Sequence, residues 1–343
     1  MTTPNPQDPD QPRLHDLGED EILARILPLL LAGPGNGVLV GPGDDAAVVA
    51  VPRPLVVTTD CMIRDRDWRD DWSSPRDVAH KLGAQNISDV AAMGGSASAG
   101  LLTVTADPET TLAWVEEFAA GLGEWCARAG VAIVGGDLSS APAGVLHVSL
   151  TMWGDLEGRE PVLRSGARPG DALAVCGSLG WSSAGLASYA AGDPTVVLDG
   201  DSPTADRLRE TWRAYHRRPR PPWESGPGAA RAGATSMIDL SDGLVRDADR
   251  VARASRVGLD VDRGALERDF VASLAGVMAE DEAWRHVLGG GEEHSLLATF
   301  PDGRLPHSSG TPWRVIGCVT ADEGVCLDGE PLEVVGWDHF KDR

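Results

Sequence analysis

Apolar and polar positions follow two patterns along the chain, one with helical spacing and one typical of buried strands. Apolar residues recur at helical spacing from Glu19 to Leu31, which predicts a helix. The run LVVTTD at 55–60 predicts a buried strand with a polar end, and residues 76–93 predict a helix that stops at Gly94. The beginning of the chain is therefore expected to alternate helices and strands.

This alternation continues and is then repeated in a second block. The first block also predicts a strand at 99–106, a helix at 108–130 opened by Pro108 and closed by Gly130, and strands at 131–137 and 145–156. The second predicts a strand and turn at 171–180, helices near 183–190 and 204–217, a strand, turn and helix over 235–258 ending at Gly258, a loop and strand at 289–300, and a strand at 313–320. Two such blocks predict two α/β domains.

Two polar segments set the expected boundaries of these domains. Residues 1–16 are polar and proline-rich, which is typical of a disordered tail. The break between the blocks falls in the segment 154–171. We therefore expect a tail at 1–16, an N-terminal domain at 17–155 and a C-terminal domain at 156–343.

Composition narrows the class of protein. The 343 residues carry a formal charge of −22, which argues against binding of a nucleic-acid backbone because phosphate recognition needs a basic face. The apolar stretch ILARILPLLLAG contains Arg25 and Pro28 and is too short to span a bilayer. Acidic rather than basic residues precede it, unlike in a signal peptide. The sequence therefore predicts a soluble cytoplasmic protein without a membrane or nucleic-acid partner.

The five cysteines are scattered along the chain, with no C-x-x-C pair and no nearby His partners. They are Cys61, Cys126, Cys176, Cys318 and Cys326. This distribution favours buried free thiols over a zinc site.

Acidic residues with small neighbours recur at the ends of predicted strands and loops. They are Asp44 and Asp45 in GPGDDAAVV, Asp60 in TTD, Asp89 in NISDVAAMGG, Asp137 in VGGDLSS, and Asp239 and Asp242 in IDLSDG. One such residue alone is typical of a helix cap or a turn. Several carboxylates that converge without basic neighbours repel one another unless a divalent cation neutralises them. Oxygen ligands without His or Cys favour magnesium.

Several magnesium ions most often serve to hold a triphosphate and neutralise charge during phosphoryl transfer. No Walker motif is present, since the only lysines, Lys81 and Lys341, do not follow the glycine pattern of a P-loop. No HRD or DFG string of a protein kinase occurs either. A nucleotide would therefore be bound mostly through metal ions and backbone amides.

The ordered motifs of the chain resemble those of thiamine-monophosphate kinases. The motifs are GPGDDAAVV, TTD, NISDVAAMG, GGD, RSGARPGD, IDLSDGL, GGGEEHSLL and the terminal GWDHF, and they cover nearly the whole chain beyond the tail. That family belongs to the superfamily of aminoimidazole ribonucleotide synthetase and selenophosphate synthetase. The resemblance implies a two-domain PurM-like α/β fold whose N-terminal domains form a homodimer with a shared β-barrel. It also implies a transferase of thiamine diphosphate biosynthesis, which phosphorylates thiamine monophosphate with ATP and several Mg2+ ions.

The resemblance also implies the residues of the site. The metal ligands would be Asp44, Thr58, Thr59, Asp60, Asp89, Asp137, Asp239 and Asp242. The residues that contact ATP would be Gly136, Asp137, Arg164 and Ser241, and those that contact the substrate would be Glu292 and Trp337. The nucleophile would be an anionic phosphate oxygen of the substrate, so no protein nucleophile or general base is needed. Trp337 could lie against the cationic thiazolium or the pyrimidine, with an attraction on the order of 1 kcal/mol. The alternatives are a packing aromatic at Trp337, an exposed loop carboxylate at Glu292 and a surface cap at Arg164.

Two positions depart from the family pattern. Ala119 stands where the family often has a Tyr that contacts ATP. Asp67 stands where a family His contacts the substrate. Either neighbouring arginines at 64, 66 and 69 offset the repulsion between Asp67 and the substrate phosphate, or Asp67 recruits a bridging magnesium ion.

Three alternative functions remain at this level. A selenophosphate synthetase would carry a reactive Cys near the N-terminus, whereas the first cysteine here is Cys61. A hydrogenase-maturation-type relative would not be expected to keep the terminal GWDHF. A homologue that binds thiamine phosphates without turnover is the third alternative, and the departures at Asp67 and Ala119 leave it open.

Overall fold

The computed structural model describes residues 12–13, 16–17, 19–30, 38–40, 48–49, 54–190, 203–306 and 310–337. The chain divides into two compact units. The first unit comprises Met1–Val90 and Ala97–Gly158, and the second comprises Ala91–Ser96 and Arg159–Arg343. No described helix is both long enough and apolar enough to cross a membrane.

Most elements up to residue 155 lie where the sequence pattern predicts them. The helices are α1 (Glu19–Leu30), α2 (Pro75–Ala92) and α3 (Leu112–Ala129); the strands are β1 (Val38–Val40), β2 (Val48–Val49), β3 (Leu55–Ile63), β4 (Ser96–Ala106), β5 (Ala132–Ser140) and β6 (Leu146–Asp155). The predicted helix at 108–130 begins later than its proline, because Thr111 is the N-cap and its side chain accepts a hydrogen bond from Trp114 N. Its predicted end is confirmed by Gly130, the C-cap residue, at φ 72°.

Four strands of the first unit form one open sheet in the order β3-β6-β4-β5. β3 pairs with β6 in antiparallel orientation, whereas β4 and β5 are parallel. Along β6, buried residues such as Leu150 alternate with partly exposed ones, so one face of the sheet is covered and the other is open. The described strands of this unit do not close into a barrel within one chain.

The second unit is built on a larger sheet. Its strands are β7 (Ala172–Cys176), β8 (Ser236–Leu240), β9 (Gly258–Val261), β10 (Ser295–Phe300), β11 (Trp313–Thr320), β12 (Gly324–Leu327) and β13 (Glu330–Pro331), in the order β13-β12-β9-β11-β7-β10-β8. Its helices are α4 (Trp181–Ala190), α5 (Pro203–Arg217), α6 (Ser225–Arg231), α7 (Leu244–Ser255), α8 (Arg263–Leu266), α9 (Ala272–Ala275) and α10 (Glu280–Gly289). Trp212, Leu173 and Phe270 are buried in its main core.

The prediction that the helix after β8 ends at Gly258 is wrong. α7 ends at Ser255, and Arg256 caps it in the left-handed region at φ 57°. Gly258 instead begins β9, where a Cβ atom would lie 2.3 Å from Thr320 Oγ1, so the glycine allows a close approach between strands. The sequence pattern did not predict the segments α6, α8, α9, α10, β1, β2, β9, β12 and β13, because most are short and lack a clear apolar period.

The expectation of buried cysteines is only partly right. All five thiols are free, and Cys126 and Cys176 are buried. Cys61 and Cys318 are exposed, because each occupies a position on a strand whose side chain points to an open face.

Candidate functional site

The first unit brings a hydroxyl and a carboxylate into contact between β3 and α2. Thr58 donates its Oγ1 hydrogen to Oδ2 of Asp89, at 2.6 Å. Asp60 lies two residues further along β3, and such side chains lie on the same face about 7 Å apart. Three of the predicted metal ligands thus face one region and offer only oxygen atoms, a donor set that fits magnesium.

The side chain of Thr59 points to the opposite face of the sheet. Its Oγ1 lies 3.0 Å from Oγ1 of Thr151 on β6. A metal contact of Thr59 on the Asp60 side would therefore have to use its backbone carbonyl.

Gly136 and Asp137 lie on β5, at the other edge of the same sheet. Two strands separate β5 from β3, so the two edges are about 14 Å apart along the sheet. Asp137 accepts a hydrogen bond from Ser139 Oγ at 2.6 Å. At Gly136 a Cβ atom would lie 1.8 Å from the Leu102 carbonyl oxygen, so this glycine is required for the pairing of β4 and β5. The structure does not bring Asp137 together with Asp60 within one chain.

Metal-binding clusters of three His, Cys, Asp or Glu side chains do not occur among the residues that the structure describes. The predicted ligand Asp44, with Asp45 beside it, lies outside the described residues. The described oxygen donors of the first unit are therefore one part of the predicted ligand set.

In the second unit, the turn between β8 and α7 joins four of the predicted site residues. The carbonyl oxygen of Ser241 accepts a hydrogen bond from Glu292 N at 2.7 Å, and that of Asp242 accepts one from Trp337 N at 2.9 Å. Asp239 lies near the end of β8, just before this turn. Residues from three distant parts of the sequence are thus held together by backbone hydrogen bonds.

Asp242 has a basic partner, which corrects the assumption that the acids lack one. Arg250, two turns along α7, donates to Asp242 Oδ2 at 2.5 Å and to Asp247 Oδ1 at 2.6 Å. The other oxygen of Asp247 accepts a hydrogen bond from Asp242 N at 3.0 Å. Arg250 therefore neutralises part of the charge that the sequence argument assigned entirely to metal.

Asp247 was missed by the sequence argument because its helical surroundings do not resemble the other acidic motifs. Its side chain is buried, and this burial, with the charge of nearby Asp239, raises the pKa of Asp247 to about 7. Asp239 is itself buried, and its Oδ2 lies 3.4 Å from His294 Nδ1. Asp239 thus also has a basic neighbour that the sequence did not reveal.

Glu292 lies in a loop with a strained backbone. Glu292 has φ 62° and His294 has φ 53°, and the left-handed region costs a non-glycine residue about 1–2 kcal/mol. Hydrogen bonds from Glu292 N to Ser241 O and from His294 N to Leu240 O hold these conformations. Strain that the surrounding structure maintains in this way is common at functional sites.

Glu293, between these two residues, points into the protein. Its carboxylate accepts hydrogen bonds from Ser178 Oγ at 2.7 Å and from Ser182 N, in the first turn of α4, at 2.6 Å. Its carbonyl oxygen accepts one from Tyr215 Oη at 3.1 Å. Full burial raises the pKa of Glu293 to about 7, although its hydrogen bonds oppose this change. The sequence pattern could not distinguish Glu293 from its neighbour Glu292.

Trp337 keeps 41% of its surface exposed. Gly336 precedes it at φ 145°, and a Cβ atom there would lie 2.5 Å from Asp242 O. Only glycine therefore allows the chain to bring Trp337 against this turn.

The contacts described for the last two predicted residues, Arg164 and Asp67, are within the protein. Arg164 is exposed on a short 3-10 turn, and its carbonyl oxygen accepts a hydrogen bond from Ser255 Oγ at 2.7 Å. Asp67 accepts a hydrogen bond from Ile63 N at 2.7 Å, so one carboxylate oxygen fixes the turn after β3. The substrate contact of Asp67 stays a prediction.

Comparison with known proteins gives consistent similarities. The N-terminal domain of AIR synthase related proteins matches residues 43–156. A thiamine-monophosphate kinase of Mycobacterium tuberculosis is 41% identical over 339 residues, covering 96% of this chain and 94% of its own. The crystal structure of thiamine-monophosphate kinase from Stenotrophomonas maltophilia K279a matches with a TM-score of 0.74 at 29% identity, over 91% of this chain and 96% of that one. The structure of AaThiL complexed with AMPPCP and TMP matches with a TM-score of 0.70 at 26% identity, over 96% of this chain and 99% of that one.

Proposed function

The chain belongs to the thiamine-monophosphate kinase family, and on this premise we propose that it transfers the γ-phosphate of ATP to thiamine monophosphate, giving thiamine diphosphate and ADP. The observation that carries the proposal is the 41% identity across 96% of the chain. The complex of AaThiL with AMPPCP, an ATP analogue, and TMP supports the same pair of substrates.

The reaction needs alignment of two anions rather than a protein nucleophile. A phosphate oxygen of thiamine monophosphate attacks the γ-phosphorus, and the bond from that phosphorus to the bridging oxygen of ADP breaks. Magnesium ions, when bound, would neutralise the charge of both phosphate groups. The residues proposed to hold these ions include Thr58, Asp60, Asp89, Asp239 and Asp242. Asp44, Thr59 and Asp137 complete the proposed ligand set.

Different residues are proposed to contact the two substrates. Gly136, Asp137, Arg164 and Ser241 would contact ATP, and Asp67, Glu292 and Trp337 would contact thiamine monophosphate. The Glu292 carboxylate suits a cationic thiazolium, and the exposed ring of Trp337 suits stacking on a heterocycle. Because Ser241 O accepts from Glu292 N, the proposed contacts to both substrates adjoin one turn.

The proposed assembly is a cytoplasmic homodimer of two-domain chains, with domains at 17–155 and 156–343. Leu55, Val57 and Ile63 are exposed on one face of β3, and Val57 keeps 60% of its surface accessible. An apolar face on a sheet supports pairing with a second copy, since exposed apolar patches mark association sites. Two such sheets would together form the shared barrel that the family resemblance implies.

The proposed function can be tested by a coupled assay of ADP release. Purified protein with ATP and magnesium should release ADP with thiamine monophosphate and not with aminoimidazole or selenide substrates. Removal of magnesium with a chelator should abolish the release. A protein that binds thiamine monophosphate without releasing ADP would contradict the proposal and favour the non-catalytic homologue.

A further inference from the structure

A buried histidine contacts the side chain of Glu292. His216, in the last turn of α5, has its Nδ1 atom 3.3 Å from Glu292 Oε2. The same Nδ1 lies 3.1 Å from Oγ of Ser182 on α4. His216 keeps only 6% of its surface exposed, whereas the Glu292 side chain keeps 32%. The fixed partner is therefore the histidine, and the partly exposed one is the carboxylate.

The contact depends on close packing between α4 and α5. Gly185 on α4 faces α5, and a Cβ atom there would lie 2.2 Å from the Trp212 carbonyl oxygen and 2.9 Å from His216 Cβ. Only glycine allows the two helices to lie this close together. Ser182, one turn before Gly185 on α4, therefore contacts His216 on α5. The position of the imidazole is thus set by helix packing and not by Glu292.

His216 Nδ1 lies within ion-pair distance of Glu292 Oε2, at 3.3 Å. A carboxylate oxygen only accepts hydrogen bonds, so a proton on Nδ1 would attract Oε2 of Glu292. The imidazole therefore lies where it can hold one oxygen of Glu292, while the strained backbone at φ 62° fixes the Cα–Cβ direction of the same residue.

We propose that His216 is a positioning residue for thiamine monophosphate. It orients the Glu292 carboxylate beside the turn at Ser241 and Asp242, where Trp337 also lies, so that the carboxylate meets the cationic ring of the substrate. This inference rests on the proposed function and extends it, because it assigns α5, which contributes no predicted substrate contact, to substrate affinity. His216 acts through Glu292 and need not touch the substrate.

The test compares His216 with His286, a partly buried histidine, because the two contact successive serines of α4. His286 Nδ1 lies 2.9 Å from Ser183 Oγ, but its charged neighbour is Glu282 and not Glu292. His286→Leu is therefore the matched control for His216→Leu. His216→Asn provides the rescue, because the amide nitrogen of Asn can occupy the position of Nδ1.

Steady-state kinetics should separate the variants. Loss of the polar contact to the Glu292 carboxylate is expected to raise the KM for thiamine monophosphate about tenfold in His216→Leu. The KM for ATP and kcat should remain unchanged, since only uniform binding of one substrate is lost. His216→Asn should restore most of the affinity, and His286→Leu should leave the ratio of the two KM values unchanged. If His216→Leu does not fold, His216→Gln replaces it, because its amide extends beyond the Nδ1 position.

A Glu292→Ala background completes the design. There His216→Leu should raise the KM for thiamine monophosphate no further, because residues that act through one contact are not additive. An additive increase, equal effects of His216→Leu and His286→Leu, or a parallel increase of both KM values would overturn the positioning role. A wild-type protein without thiamine-phosphate-dependent ADP release would overturn the proposed function as well, so the two failures are distinguishable.

Discussion

Replacement of Glu293 by Gln should change how the stability of the protein depends on pH. In the folded protein burial raises the pKa of Glu293 from 4.5 to about 7. This difference corresponds to about 3 kcal/mol of free energy between the two protonation states. Gln keeps an oxygen to accept the hydrogen bond from Ser182 N, and its amide can donate to Ser178 Oγ. The substitution therefore removes the titration with little change in packing.

The direction of this pH dependence follows from the number of protons that each state binds. Between pH 4.5 and 7 the folded state keeps a proton on Glu293 that the unfolded state has released. The contribution of Glu293 to stability is thus fully present below pH 4.5 and is lost as the pH rises through about 7. From mildly acidic to mildly alkaline pH, the free energy of unfolding of the Gln variant should therefore rise by about 3 kcal/mol relative to that of the wild type.

The assay is denaturant unfolding, followed by tryptophan fluorescence at several pH values from 5 to 8. Exposed Glu323, replaced by Gln, is the control and should leave the pH dependence of the unfolding free energy unchanged. Parallel pH profiles of the wild type and Glu293→Gln would refute the reasoning. They would mean that the hydrogen bonds of Glu293 outweigh its burial.

Three further predictions concern catalysis, assembly and substrate binding. Turnover should fall by about 100-fold or more in each of Asp44→Asn, Asp60→Asn and Asp89→Asn, because each substitution removes charge from the proposed metal site. Steady-state assays measure this, with circular dichroism as a check of folding. Near-normal turnover in all three variants would contradict the prediction. Val57→Asp should shift a dimer to a monomer in light scattering, and a wild-type monomer at micromolar concentration would exclude the proposed assembly. Asp67→His should lower the KM for thiamine monophosphate across a magnesium series. It should also lower the free energy of unfolding by about 1 kcal/mol, because the Ile63 N–H group loses its hydrogen-bond partner. Unchanged kinetic constants would mean that Asp67 does not face the substrate.

The sequence pattern predicted elements better than their arrangement. The long periodic segments that became α2, α3, β3 and β6 were predicted because helical and strand periods are local properties. Strand order is not local. The separation of Asp60 from Asp137 by two strands follows from the order β3-β6-β4-β5, which no periodicity reveals.

Within the candidate site, contacts between distant residues were the least predictable. Arg250 pairs with Asp242 from two turns along α7, and such a distant partner is not visible among the immediate sequence neighbours of Asp242. Glu293 differs from Glu292 only in backbone geometry, since the left-handed conformations at Glu292 and His294 turn the intervening side chain inward. Such conformations depend on tertiary hydrogen bonds and leave no compositional signal.

The clamped loop at residues 292–294 has a consequence for the speed of substrate binding. Tyr215, the first turn of α4 and the β8–α7 turn each hold it from a different side. Its shape therefore exists before any ligand arrives, and binding does not require the entropy cost of ordering it. Association should then occur in one step, without a slow rearrangement that limits the on-rate. Glycine at position 294 would relieve the backbone strain but would also remove the buried imidazole beside Asp239, so the preformed loop depends on a residue whose strained backbone is held in place by its own contacts.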